Sequence, residues 1–116
     1  ALRTHCYENI NWGFHHRDQA KIILLTYYYS TLDGSNGKTG QRAFKLGGER
    51  VYRYVLQAER EGLLPKNADS QQMAAMIHEY AVGLFIKMLA TEGTQKKRLP
   101  RSFKEKLNQV VDRILA

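Results

Sequence analysis

The sequence predicts an all-α fold: a five-helix, bundle-like domain over residues 1–116. Three observations predict it. Met73, Met76, Ile77, Tyr80, Ala81, Leu84, Phe85, Met88 and Leu89 recur at steps of three and four, the period of a helix face. Helix stop and start residues punctuate the chain: Gly62 and Pro65, then Asp69, then Gly93 and Pro100. The longest apolar run, residues 22–29, grows without a turn signal out of the helix-forming stretch 17–21, so it reads as helix rather than buried strand.

Taken in order, the first helix covers residues 2–14, with Tyr7, Ile10 and Phe14 at helical spacing, and Gly13 with His15-His16 breaks it. The second starts at Asp18, whose charge suits the positive end of the helix dipole. From residue 20 to 32 it is apolar on nearly every side, which predicts burial all round. A glycine-rich loop, 33–40, ends it. The third helix spans about 41–61, with Phe44, Gly48, Val51, Val55 and Ala58 as one stripe. Gly47-Gly48 inside it costs about 1 kcal/mol per glycine relative to Ala, so a kink or a close neighbour is expected there. Gly62 fits a left-handed C-terminal position. Asp69, with Gln72 three residues on, can cap the fourth helix, which ends at Gly93. Pro100 opens the fifth, where Phe103, Leu107, Val110 and Ile114 form a stripe widened by Val111 and Leu115.

Composition bounds the function. Apolar content of 43% and charged content of 25% are ordinary for a globular chain. The run 22–29 is too short to span a membrane, and the polar N-terminal residues do not read as a signal peptide. Cys6 is the only cysteine, which excludes a disulfide framework and fits a reducing cytoplasm. The net charge of +7 is uneven. Lys96, Lys97, Arg98, Arg101, Lys104, Lys106 and Arg113 stand against Glu105 and Asp112 near the C-terminus. Residues 96–106 thus offer an alternative reading as a small basic nucleic-acid-binding protein, although no zinc spacing or RNA-binding signature accompanies them. The stretch reads more simply as a solvated loop and helix face.

Chemistry-bearing motifs are few. Gly37-Lys38-Thr39 ends like a phosphate-binding loop, but Leu32 stands where its first glycine belongs, and no strand precedes it. The four histidines, His5, His15, His16 and His78, lack the spacing that puts metal ligands on one helix face. No catalytic triad or carboxylate pair stands out, so neither enzyme activity nor a cofactor or metal is expected. His78 lies on the apolar fourth helix, as either a satisfied core histidine or a polar group orienting a ligand. Tyr27, Tyr28 and Tyr29 cannot share one face, so at least one points inward.

The stretch "YVLQAEREGLLPKNADSQQMAAMIHEYAVGLFIKML" resembles the ligand-binding and dimerisation domain of TetR-type transcriptional regulators. The matching elements are Glu61-Gly62-Leu63-Leu64-Pro65, the acidic cap Asp69, Ala74-Ala75 and Gly83-Leu84, with the closing helix at 101–115. "WGFHHRDQAKIILLTYYY" resembles the junction before the family's mid-domain helix. The resemblance implies a homodimer, an unknown small hydrophobic effector, and operator DNA read only by a helix-turn-helix module outside this chain. A cavity lined by Trp12, Tyr28, Val55, His78, Val82 and Phe85 is expected, with Gly83 admitting a close neighbour. The dimer interface is expected on the last two helices, at Tyr80, Leu84, Phe103, Leu107, Val110 and Ile114, because the fourth helix is apolar over more than one face and the fifth carries a heptad-like stripe.

Overall fold

The computed structural model describes residues 1–29, 31, 35–92 and 98–116, with the side chains of residues 29, 35–37 and 39 left aside. Five helices lie among them: α1 (Leu2–His15), α2 (Arg17–Tyr29), α3 (Ser35–Arg60), α4 (Ser70–Thr91) and α5 (Arg101–Leu115). The fold is an all-α bundle. It is flattened, 41 × 38 × 16 Å, with a radius of gyration of 15.0 Å against the roughly 13 Å typical of a chain this long. The core runs through one layer of contacts between α1, the second half of α3, α4 and α5. Cys6, Ile10, Phe14, Val51, Val55, Ile77, Met88, Leu107 and Val111 fill it.

Local chemistry sets the helix ends. The Asp69 carboxylate accepts from the Gln72 backbone N–H at 3.1 Å, as the capping pattern predicts. Gly62 has φ +73°, the left-handed conformation that ends α3. The Ser70 hydroxyl donates to Glu59 at 2.8 Å and ties the start of α4 to the end of α3. Arg17 donates to the Leu89 carbonyl at 3.0 Å and so satisfies an acceptor in the last turn of α4. Pro100 is the N-cap of α5, one residue ahead of the first turn.

Three expectations need correction. Gly13 does not break α1. It is buried inside the helix, where any Cβ would collide with the Phe85 ring, and the chain turns at His16 instead. α2 is not buried all round: Ile22 is 61% exposed, Leu25 52% and Tyr28 60%. It lies at the edge of the bundle against α1, α3 and α4, which cover only one side of it. Residues 35–40 are not loop, because α3 begins at Ser35 and buries Gly40. Gly37-Lys38-Thr39 therefore sits inside a helix, which removes the phosphate-loop geometry altogether. Apart from these, α4 is long and apolar enough by length and composition to cross a membrane, and the run 22–29 is too short for that, as expected. Core helices of globular proteins share that property, and here Ala74, Ile77, Leu84 and Met88 are buried against neighbouring helices.

Candidate ligand-binding cavity

Four helices enclose a half-open cavity of about 360 Å³. That size lies within the range of small-molecule sites, roughly 300–1,000 Å³. His5, Cys6, Asn9 and Trp12 face it from α1, at spacings of one, three and three that keep them on one helix side. Ile23 and Tyr27 face it from α2, one turn apart. Ala43, Leu46, Gly47, Arg50 and Val51 come from α3, and His78, Ala81, Val82 and Phe85 from α4. Cys6, Val51 and His78 are buried and form the floor, whereas Asn9, Trp12, Leu46 and Arg50 are exposed and form the rim.

The glycine pair in α3 has its explanation here. A Cβ at Gly47 would stand 2.8 Å from His78 Nε2, and one at Gly48 3.3 Å from Nδ1. The two glycines remove side-chain bulk where the imidazole lies against the α3 backbone, so a close neighbour accounts for them. The Phe44 ring centroid is 4.6 Å from that of His78, and Tyr27 meets Phe44 edge-on at 5.7 Å. His78 is 7% exposed and has no hydrogen-bond partner among the described residues. Its ring nitrogens are not among the fully buried atoms that lack a partner, so the open side of the cavity reaches them.

Burial sets the protonation of this wall. It lowers the pKa of His78, with Glu79 opposing, and the imidazole is neutral at pH 7. Burial also lowers His5, helped by the Arg50 charge and opposed by Glu8. It raises Tyr27 and pushes the Cys6 thiol up to about 11, which keeps that thiol protonated and a poor nucleophile.

Of the six expected cavity residues, the structure brings Trp12, His78, Val82 and Phe85 together. Tyr28 and Val55 are corrections. Tyr28 turns outward, and its neighbour Tyr27, about 100° round the helix, takes the inward place. Val55 is fully buried in the core one turn beyond Val51, which lines the cavity in its stead. Gly83 has no close neighbour within the chain: among the described residues nothing approaches within 4 Å of its Cβ position. Sequence reasoning missed His5, Asn9 and Arg50. The signal was present in the one-turn spacing of His5 and Asn9, and in Arg50 following Gly47 by three residues.

Three of the expected interface residues are corrected as well. Leu84, Phe103 and Leu107 are buried within the single chain, so they present no surface to a second copy. The α5 stripe is core, because it faces α1 and α4. Tyr80, Val110 and Ile114 keep partial exposure, and Met76 and Ile86 on α4 are the apolar side chains that stand out beside them. In the basic stretch, Lys96 and Lys97 lie outside the described residues, whereas Arg98, Arg101, Lys104 and Lys106 are exposed.

No protein-family model, curated protein or solved structure matches the chain.

Proposed function

We propose that this chain is the effector-sensing and dimerisation domain of a TetR-type transcriptional regulator, a binding domain rather than an enzyme, which takes a small, largely apolar molecule into the cavity beside His78. The observation that carries the reading is His78 itself. Its imidazole has no protein hydrogen-bond partner among the described residues, and it lies on the wall of a half-open cavity, where it meets whatever fills that space. A ligand that hydrogen-bonds the imidazole there exchanges a water contact for one made in a less polar site, where hydrogen bonds are stronger. Trp12, Tyr27 and Phe85 add aromatic surface for an apolar body. Because α1 to α4 all contribute to the cavity, an occupant favours one packing of those helices over another. That bias is the coupling by which it would reset the spacing of DNA-reading modules outside these residues.

Assembly of a second copy belongs to the same proposal, with the contact moved to the outer face of α4. Met76, Gly83 and Ile86 share that face, and the open space at Gly83 lets another helix approach.

Differential scanning with a panel of hydrophobic small molecules tests the cavity. A compound at 100 times its Kd adds about 2.7 kcal/mol and raises Tm by several degrees. Ala81→Phe, which fills the cavity from α4, should abolish the shift. If no compound class moves Tm, the sensor reading is wrong. For assembly, light scattering should give twice the monomer mass, and Met76→Glu combined with Ile86→Glu should halve it while circular dichroism is unchanged.

One observation favours the nucleic-acid reading: Lys106 lies beside Lys87, whose hydrogen bond and charge lower its pKa, so α4 and α5 place two cations together. If that patch binds DNA, affinity falls steeply with salt; weak, salt-independent binding counts against it.

A further inference from the structure

The same cavity narrows the chemistry of its ligand, and this inference rests on the sensor reading above. Arg50 is the one charged side chain among the described residues that line the cavity. It stands on the rim, on the α3 face that also carries Gly47 and Val51. Its guanidinium makes no ion pair and no hydrogen bond among the described residues. A guanidinium holds five N–H donors in a planar fork and stays charged at every physiological pH. Among the described residues that line the cavity, no carboxylate answers it. Beside it on the rim are His5 and Asn9, with Asn9 Nδ2 donating to His5 Nε2 at 3.3 Å.

The floor of the cavity is of another kind. Cys6, Val51, Ala81, Val82 and Phe85 are apolar, and the Cys6 thiol stays protonated. His78 among them is neutral and can give or take one hydrogen bond. The cavity therefore has a single cationic edge and an apolar floor. We propose that its ligand is a small amphipathic carboxylate, with the two carboxylate oxygens on the Arg50 fork at the rim and the apolar body against Val51, Phe85 and the His78 ring. One lone cation matches one carboxylate. A phosphate monoester would bring a second charge that neither neutral histidine balances. The volume suits the size: a water occupies about 30 Å³ in the liquid, so 360 Å³ holds about a dozen atoms of that bulk, as in a bicyclic aromatic acid.

The test uses 2-naphthoate, 2-naphthamide and 2-naphthylmethylamine, which share one apolar body, measured by thermal shift and calorimetry on the intact chain. The acid should bind about tenfold or more tighter than the amide, as a charge-assisted bidentate pair outweighs a neutral one. The amine should bind weakest. Arg50→Gln, at an exposed site with no partner to lose, should cut acid affinity about tenfold and leave the amide unchanged. Arg50→Lys should restore part of the preference. If acid and amide bind alike, or Arg50→Gln affects both equally, the carboxylate assignment falls and the apolar sensor reading stands. If none of the three binds and no member of the hydrophobic panel does, both fall together.

Discussion

Replacing Gly47 by alanine sets two known effects against each other at one atom. In an exposed helix, Gly→Ala stabilises by about 1 kcal/mol through helix propensity. At Gly47 the new methyl would lie 2.8 Å from His78 Nε2 and 3.6–3.7 Å from two ring carbons. Something must move. The imidazole is the end of a side chain, but Phe44 stands against it, so it can yield only toward the cavity and away from the contacts it makes. Overpacking of this kind costs about 1–3 kcal/mol. The net expectation is a loss of about 1 kcal/mol. Truncating the neighbour reverses the sign: in a His78→Ala background the same Gly47→Ala change should stabilise by about 1 kcal/mol. The coupling energy of the cycle is then about 2 kcal/mol, well above the 0.3–0.5 kcal/mol scatter of independent sites. Equilibrium urea unfolding of the four proteins measures it. Gly83→Ala is the control, made in the Met76→Glu, Ile86→Glu background so that no second copy covers it; nothing in the chain's described residues lies within 4 Å of its Cβ, and it should stabilise by about 1 kcal/mol. If Gly47→Ala stabilises equally with and without His78, the α3 backbone does not approach the imidazole and the cavity wall is drawn wrongly.

Two further outcomes follow from the core and from protonation. Leu107 is 0% exposed, so Leu107→Ala should cost about 2–5 kcal/mol, and Leu107→Asp should unfold the chain rather than split a dimer; a folded, monomeric Leu107→Asp protein by circular dichroism and light scattering would contradict the packing of α5. Burial holds the folded-state pKa of His78 and His5 below the ordinary value of 6.5, so in acid the unfolded chain binds more protons. The stability this neutrality supplies is complete above about pH 6.5 and is lost as pH falls below it; urea midpoints should fall across that window and fall less in His78→Phe, and a pH-independent midpoint between 7 and 5 would refute the burial of these rings.

Positions and ends of helices were legible in the sequence because they are written locally. Asp69 and Gln72 make a cap within one turn, Gly62 stops α3 where a left-handed residue is required, and the fifth helix runs over 101–115 as its stripe predicts. What covers an apolar face is not local information. The stripe at Phe103 and Leu107 has the same spacing whether it meets its own core or a second copy, and only the placement of α1 and α4 against it decided for the core. α2 shows the reverse: its apolar surround predicts burial, yet its place at the bundle edge leaves Ile22, Leu25 and Tyr28 exposed. The choice of Tyr27 over Tyr28 is a rotation of about 100°, set by where α1 and α3 lie and absent from any periodicity. Gly47-Gly48 announced that something comes close to α3; that it is His78, from a helix about thirty residues further along the chain, is a fact of tertiary structure alone. The same holds for the cavity's one charge. Arg50 reads as an ordinary surface residue until folding sets it beside His5 and Asn9, because convergence of side chains from separate helices depends on how the helices pack and not on the order of residues within any one of them.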